Sequence, residues 1–289
     1  MGDPETQTFC FRKMLAAMLL AGWLVTACGA EQPHSDHAKG PVEIQQIQVD
    51  GISIPVFQSA GEQYHYAKSL SGRPLEKAAA LKVLTRRFPE DRTKTGHARL
   101  ELAYLKLGSD FRLAKTSDCR AALREYEKIV REYEGLSSIC VKARWYMAWI
   151  YTDLLGDKEK GLRIYTFLAQ HYPHESYSRV SPVPWLELVF PDNAEKPYSA
   201  DDRAINTWAS LALLEIIRHT DENRQKREAF DQLWGRYRQS LTTGYALREM
   251  LYSGEDSERM AGYVREYVTF STVNPELTKD LQSLLGASS

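Results

Sequence analysis

The chain has 289 residues, of which 43% are hydrophobic and 26% are charged. This composition can bury one or two cores of ordinary size, so it excludes a disordered, collagen-like or coiled-coil chain. The 37 Lys and Arg residues nearly balance the 38 Asp and Glu residues, which leaves a formal net charge of -1 and no overall attraction to nucleic acid or anionic lipid.

The N-terminus has the pattern of a secretory signal. Arg12 and Lys13 precede an apolar run over residues 14–25, and a helix of that length reaches only about 18 Å, which is too short to cross a bilayer. The run ends in small residues before Cys28. This ending resembles the lipobox of bacterial lipoproteins. The resemblance implies that residues 1–27 are removed as a signal peptide and that Cys28 is acylated.

The lipobox also bears on where the protein resides. Acylation implies an exported protein that is lipid-anchored to a membrane, since two or three acyl chains hold firmly where one does not. Enteric lipoproteins that stay in the inner membrane have Asp after the cysteine, whereas this chain has Gly29. The resemblance therefore favours the outer membrane, facing the periplasm, over the inner membrane or the cell surface. An ordinary signal peptide with a chance cysteine is the alternative.

Two short segments precede the helical part of the chain. Residues 28–40 are polar, which is typical of a solvated tether. We expect residues 41–74 to be extended or to form a hairpin, because apolar residues alternate on both sides of Asp50-Gly51. The alternation slips at Gln45-Gln46, which requires a bulge, and Pro55 restricts the second strand to an edge position.

Proline placement divides the rest of the chain into two helical blocks. Neither residues 90–172 nor residues 198–274 contain a proline, whereas a proline in a helix interior costs about 3 kcal/mol. The helical period begins at Leu75. We therefore predict a first helical block over residues 75–173, a crossing loop over residues 174–198 and a C-terminal helical subdomain over residues 199–289.

After the first block the pattern is less regular. The crossing loop is apolar around Trp185, so it either covers a groove of its own chain, which we favour, or forms a partner site.

In the second block Ser199 and Asp202 form a capping-box pattern before a helix that includes Trp208. This block holds either further repeats or a helical cap that covers the last repeat.

Helical faces repeat within the first block. One apolar face occupies four positions, and the same spacing returns 39 residues later. The residues are Ala122, Tyr126, Ile129 and Tyr133 in one copy, and Gly161, Tyr165, Leu168 and Tyr172 in the next. In the helices between them, residues 98–105 align with residues 143–150. Each repeat thus pairs two helices.

This doubled pattern resembles the tetratricopeptide repeat. In that family a small residue late in the first helix and another early in the second allow close approach, an aromatic residue follows, and proline closes the pair. Ala148, Gly161, Tyr165 and Pro173 match these positions, although the repeats exceed the usual length of about 34 residues. The resemblance implies an all-α fold, an α-α superhelix of stacked antiparallel helix pairs. With the lipobox, the chain is similar to periplasmic and outer-membrane tetratricopeptide lipoproteins.

The sequence carries no motif for catalysis. It has no G-x-S-x-G elbow, H-E-x-x-H helix, P-loop or G-x-G-x-x-G turn. We therefore predict no catalytic, cofactor-binding or metal-binding residue, no cofactor, and a protein that is not an enzyme. An interaction scaffold that binds an envelope protein or peptide is favoured, with no nucleic acid and no small-molecule substrate. The alternative is an envelope hydrolase or carbohydrate-processing lipoprotein with catalytic residues in its loops.

The groove positions of the tetratricopeptide family imply a partner-binding surface on two helices. A partner helix or peptide is expected to contact large aromatic and charged side chains there. For Trp145 and Trp149 two interpretations stay open, since these side chains either anchor a partner or fill the core. The implied groove residues are His97, Leu100, Tyr104, Lys142, Trp145, Trp149 and Asp153.

Two cysteines remain outside the signal and the lipobox. Cys119 lies near the start of one helix, and Cys140 lies just after the turn that follows that helix. Their positions along antiparallel helices then differ by about 12 Å, whereas a disulfide needs Cα atoms within about 7 Å. We predict two free, buried thiols.

Overall fold

Helices form most of the described chain, as the spacing of its apolar residues predicts. The computed structural model describes residues 45–108, 110–174, 207–254, 257–270 and 275–287. In chain order the described elements are β1 (Gln46–Val49), β2 (Ile52–Pro55), α1 (Ala60–Ser69), α2 (Pro74–Arg87), α3 (Arg92–Leu105), a 3-10 turn (Phe111–Leu113), α4 (Thr116–Glu132), α5 (Ser137–Trp149), a π-helical turn that continues α5 (Ile150–Leu154), α6 (Lys158–His171), α7 (Trp208–His219), α8 (Asn223–Tyr237), α9 (Leu241–Tyr252), α10 (Ser257–Phe270) and α11 (Pro275–Ala287). The all-α class with a small hairpin is confirmed.

The hairpin forms at the Asp50-Gly51 turn, where the sequence predicts it. Both turn residues have positive φ angles of 52° and 78°, which is the backbone of a type I′ turn. The strands pair antiparallel, and the Val56 N–H continues the pairing by donating to the Gln45 carbonyl at 2.7 Å. From Gln45 onward the pairing is regular, so the bulge predicted at Gln45-Gln46 is absent from the described residues.

The hairpin is held against α2 by one buried side chain from each strand. Val49 and Ile54 are buried together with Leu81 and Leu84 of α2. The turn residue Asp50 forms an ion pair with Lys82 on the same helix. An isolated two-stranded hairpin is marginal in water, so these contacts with α2 keep it folded.

Residues 60–69 form helix α1, which corrects the expectation that residues 41–74 are extended throughout. Ser59 caps this helix, and Glu62 completes a capping box by accepting from the Ser59 N–H at 3.1 Å. The signal was present in the sequence as Ser followed three residues later by Glu. The helix is short and only weakly amphipathic, so periodicity alone did not reveal it.

The helices contact one another in a regular order. Each helix from α1 to α11 packs against the next one in the chain. Odd-numbered helices also contact the next odd-numbered helix: α1 with α3, α3 with α5, α7 with α9, and α9 with α11. Between α5 and α7 the Trp145 and Trp208 rings lie 6.0 Å apart. One apolar core extends from α3 to α11, and a second joins the hairpin to α1, α2 and α3.

Helices α5 and α6 approach closely at Gly161. A Cβ atom at this position would overlap the Thr152 side-chain methyl group and would lie 3.0 Å from the Ala148 carbonyl oxygen. Tyr165, one turn further along α6, is fully buried. The small residues that the repeat pattern singles out thus lie where two helices touch.

The two cysteines of the described chain are free and buried, as predicted. Cys119 lies in the first turn of α4, and Cys140 lies in the first turn of α5. The Cys140 thiol donates to the Tyr133 carbonyl at 3.1 Å. Both thiols behave as small apolar side chains of the core.

Several expectations fall outside the described residues. They are the signal peptide over residues 1–27, acylation at Cys28, the tether over residues 28–40, the crossing loop beyond residue 174 and the cap at Ser199. Where the description resumes, Thr207 caps α7 in a reciprocal pair with Ser210. Within the described ranges no helix combines the length and the apolar character that crossing a membrane requires.

Substitution of Gly161 tests the close contact between α5 and α6. We expect Gly161→Ala to lower the free energy of unfolding by about 1–3 kcal/mol, because its Cβ overpacks a rigid contact that includes backbone. Urea unfolding followed by circular dichroism measures the change.

A matched control is Gly235→Ala in α8, where an added Cβ meets nothing within 4 Å. This change should leave stability unchanged or raise it by about 0.5–1 kcal/mol. Adding Thr152→Ser to Gly161→Ala removes the overlapping methyl group and should restore part of the loss. Equal effects of the two alanine variants would show that α5 and α6 do not meet at Gly161.

Candidate functional site

The structure places the seven expected groove residues on α3, on α5 and in the π-helical turn, and it buries three of the four that are apolar or aromatic. Leu100 is 3% exposed, Trp145 is fully buried and Trp149 is 2% exposed. His97 and Tyr104 are half-buried, and Asp153 is exposed. The three buried side chains are therefore not available as surface anchors, which corrects that part of the prediction.

Other aromatic rings cover the two tryptophans. Trp208 at the start of α7 lies 6.0 Å from the Trp145 ring. Phe111 packs edge-on against Trp149 at 5.2 Å, and Tyr104 stacks on it at 6.4 Å. The interpretation of both tryptophans as core residues is thus the correct one, because elements outside their own repeat cover them.

Next to these rings, α1, α2, α3 and α5 bring charged side chains together around the buried carboxylate of Glu101. The Tyr64 hydroxyl donates to Glu101 Oε1 at 2.7 Å. Lys77 Nζ lies 2.6 Å from Oε2, and Lys68 Nζ lies 3.5 Å from Oε1. We call the group around Glu101 the basic cluster. Its members, whose charges act on one another, are Lys68, Lys77, Lys94, His97, Glu101 and Lys142.

Positive charge exceeds negative charge in the basic cluster. Glu101 supplies the one carboxylate of the cluster and is shared between Lys68 and Lys77. Lys94 lies over the Tyr64 ring, with Nζ 5.5 Å from its centroid. The Lys142 side chain is only 8% exposed, and no carboxylate of the described chain lies within ion-pair distance of its ammonium group.

The pKa values of two side chains in the basic cluster reflect this surplus. Burial lowers the pKa of Lys142 to about 8, and the charge of Lys68 lowers it further. Burial also lowers the pKa of His97 to about 4, with additional lowering by Lys142 and Lys94. At neutral pH the His97 imidazole is therefore uncharged and can donate or accept one hydrogen bond.

Glu101 keeps its negative charge despite burial. Burial raises the pKa of this carboxyl, but the charges of Lys77 and Lys68 outweigh that effect and hold the pKa below its ordinary value. Without Glu101 the cluster would contain no negative charge. The carboxylate therefore permits Lys68 and Lys77 to lie close together, while Lys142 is left without a counter-charge of its own.

A second charged group lies where the π-helical turn meets α7 and α9. His219 Nε2 lies 3.3 Å from Glu215 Oε2 and 3.5 Å from Asp153 Oδ2. Arg218 links Glu215 to Glu249 of α9, with contacts of 3.3 and 3.2 Å. We call these five residues the histidine cluster. Asp153 is the one expected groove residue that belongs to it.

Carboxylates favour the charged form of His219. Burial alone lowers the pKa of this imidazole, but the hydrogen bond with Glu215 and the charge of Asp153 outweigh burial and raise the pKa above its ordinary value. Partial desolvation raises the pKa of Asp153, although 38% of its side chain remains exposed. An imidazole between two carboxylates can accept and release a proton near neutral pH.

A surface cavity of about 380 Å³ lies apart from both clusters. Helix α4, the π-helical turn and α6 line it, with Arg120, Lys160 and Asp157 as the charged groups. No expected groove residue contributes to its lining. In the described ranges no three His, Cys, Asp or Glu side chains converge closely enough to hold a metal ion.

Sequence reasoning found only part of the basic cluster. His97 and Lys142 align in the repeat pattern. The other members were missed, and so was Tyr64, which donates to Glu101. Tyr64 and Lys68 lie 33 residues before His97 and Glu101, so the same helical face continues on α1. Because helix α1 was not predicted, the 33-residue spacing could not be interpreted as a repeated helical face.

Comparison with protein-family models, with curated proteins and with solved structures found no significant match for this chain.

Replacement of His219 tests the histidine cluster through stability. His219→Gln should lower the free energy of unfolding by about 1–3 kcal/mol at pH 6, since it removes the charged imidazole from Glu215 and leaves Arg218 as the remaining charged donor. The raised pKa of His219 means that its stabilisation is complete below about pH 6.5 and is lost as pH rises through the folded-state pKa. The difference between the two proteins should therefore shrink as pH rises above 6.5.

Chemical unfolding at several pH values between 5.5 and 8.5 measures this difference. Asp153→Asn keeps the shape of the side chain but removes one of the two charges that raise the His219 pKa. We expect it to move the loss of stabilisation to lower pH. A difference between His219→Gln and the unmodified chain that grows with pH would contradict this account.

Proposed function

We propose that this chain is a protein–protein interaction scaffold of the bacterial cell envelope, anchored to a membrane by lipid on Cys28. Its helix pairs stack in a tetratricopeptide-like superhelix, and a peptide or helix of a partner protein binds along the odd-numbered helices. The observation that carries the proposal is the order of helix contacts, in which each odd-numbered helix touches the next one. Stacked repeats produce this order.

The close contacts support the assignment of the helix pairs as repeats. Gly161 allows α6 to approach Ala148 and Thr152, and Tyr126 and Tyr165 are both fully buried at equivalent positions of α4 and α6. Helix α1 then acts as the first helix of an earlier repeat. Its polar residues lie 33 residues before their counterparts on α3. This distance is close to the usual repeat length of about 34 residues.

The side chains on the odd-numbered helices support binding of a polypeptide. Half-buried Tyr104 lies on α3 beside the stacked Trp149 ring. His97 lies two turns earlier on the same helix and is flanked by Lys94 and Lys142. Aromatic rings near charged groups are the usual anchors at protein interfaces.

The membrane anchor rests on the sequence before the helical part. A basic pair, a short apolar run and small residues before Cys28 form a lipobox pattern. A lipid anchor suits a chain whose described helices do not span a bilayer. The outer membrane, facing the periplasm, is the proposed location because Gly29 follows the cysteine.

Photo-crosslinking in intact cells tests the partner-binding face. We expect p-benzoylphenylalanine in place of Tyr104 to give a covalent adduct with one envelope protein, because this position is half-buried on α3, two turns beyond His97. The same amino acid in place of Glu127, which is exposed on α4, is the matched control. Immunoblotting detects the adduct, and mass spectrometry identifies the partner.

The pattern of adducts decides the outcome. A partner captured at position 104 and absent at position 127 supports binding along the odd-numbered helices. Equal capture at both positions, or capture at position 127 alone, contradicts the proposed face. Equal thermal stability of the two variants ensures that neither result reflects unfolding.

Metabolic labelling with tritiated palmitate tests the anchor. The unmodified chain should incorporate label and sediment with the membrane fraction, whereas Cys28→Ser should lose the label and the membrane association. The matched control is Cys10→Ser, which removes a cysteine before the apolar run and should keep both properties. Label that persists in Cys28→Ser would contradict acylation at this residue.

A further inference from the structure

The basic cluster contains more positive charge than its own carboxylate can balance. Four lysines surround one glutamate, and the contacts of Glu101 go to Tyr64, Lys68 and Lys77. With His97 uncharged at neutral pH, the cluster carries a surplus of three positive charges. Such a surplus in a partly buried place costs stability unless an anion neutralises it.

The free-energy cost of this surplus charge falls mainly on Lys142. Lys142 on α5 is only 8% exposed, but its ammonium nitrogen is not enclosed, and within the described ranges it forms no ion pair and no hydrogen bond. An apolar residue at this position would bury the same surface without the charge. A largely buried lysine whose ammonium group reaches the surface without a counter-charge is therefore better suited to binding a ligand than to stabilising the fold.

The residues around Lys142 define the chemistry of that ligand. The cluster contains lysines and a neutral histidine but no arginine, so it offers point charges rather than the planar fork that binds phosphate in two places. Tyr104, two turns further along α3 than His97, extends the surface beyond the charges. A polypeptide can occupy both parts, whereas a small inorganic anion can occupy only the first.

We propose that the basic cluster binds side-chain carboxylates of an acidic segment of the partner protein, with Lys142 as the principal contact and with Lys68 and Lys94 beside it. The inference rests on the proposed function because it names the chemistry of the partner. A carboxylate at Lys142 supplies the missing counter-charge and leaves the contacts of Glu101 in place. Tyr64 and Lys77 then act by positioning Glu101.

Binding of a hexaglutamate peptide tests the proposal directly. The probe is a fluorescent, end-blocked hexaglutamate, and the full chain is used in a non-ionic detergent. Fluorescence anisotropy should show binding that weakens as salt is raised. A hexaglutamine peptide of the same length should not bind, since it lacks the charge.

Two lysine variants locate the site. Lys142→Met should weaken hexaglutamate binding by about tenfold or more, because one buried charge contact is removed. Lys106→Met removes a charge from an exposed position at the end of α3 and should change the affinity by less than about twofold. Thermal unfolding should show Lys142→Met to be at least as stable as the unmodified chain.

A spectroscopic measurement reports on the same site. Chains labelled with ¹³C in histidine allow titration of the His97 imidazole, which is assigned by its loss in His97→Gln. A bound carboxylate should raise the His97 pKa from about 4, because it offsets the charges of Lys142 and Lys94. Hexaglutamine should leave the titration unchanged.

Several results would overturn the proposal. They are absence of hexaglutamate binding, equal binding by Lys142→Met, or a His97 pKa that inorganic phosphate raises and hexaglutamate does not. Binding of phosphatidylglycerol vesicles that depends on Lys142, without binding of hexaglutamate, would assign the cluster to a lipid headgroup instead. Each of these probes is used on the same protein sample.

The crosslinking experiment separates this inference from the proposed function. If Lys142→Met leaves capture at position 104 unchanged, the scaffold stands and the acidic-segment proposal is wrong. If hexaglutamate binds through Lys142 but position 104 captures nothing, the anion site stands and the proposed face is wrong. If Lys142→Met abolishes both hexaglutamate binding and capture at position 104, the two proposals are supported together.

Discussion

The packing of α7 across α5 and α6 holds the described chain together. A pair of antiparallel helices buries one apolar face and exposes another, so each pair needs a neighbour. Helix α7 supplies that neighbour at the junction of the two blocks, where Trp208 covers Trp145 and His219 stacks on Tyr165. Without α7 these buried aromatic side chains would face water. The two blocks therefore depend on each other for burial.

The same packing decides where charge can lie. With the tryptophans covered, the polar residues of the odd-numbered helices collect on either side of the aromatic rings. The basic cluster joins α1, α2, α3 and α5, and the histidine cluster joins the π-helical turn, α7 and α9. The π-helical turn contributes Asp153 to the second cluster, because its wider turn changes the direction in which the residues after α5 project.

The two clusters differ in the sign of their charge. Three carboxylates face Arg218 and a titrating His219 in the histidine cluster, whereas four lysines face one carboxylate in the basic cluster. A binding partner with an acidic segment would therefore meet attraction at α3 and repulsion at α7, which orients it along the helices. The formal net charge of -1 does not reveal this separation, because it sums the charges without regard to where they lie.

The sequence by itself determined the local features. Helical periodicity and proline placement determined the helical class, the Asp50-Gly51 pair determined the hairpin, and the positions of Cys119 and Cys140 in their helices excluded a disulfide. Gly161 could be recognised as a contact residue because the spacing repeats. These features depend on neighbours along the chain, which a linear pattern records.

Only the tertiary structure decided which side chains are buried and which charged groups lie close together. Trp145 and Trp149 belong to the core because Trp208, Phe111 and Tyr104 cover them, and no pattern within their own repeat reveals that cover. Glu101 and Lys142 became part of one charged cluster only when α1, α2, α3 and α5 came together. The physical reason is that desolvation and Coulomb energy depend on distances in space between residues that are far apart in the chain.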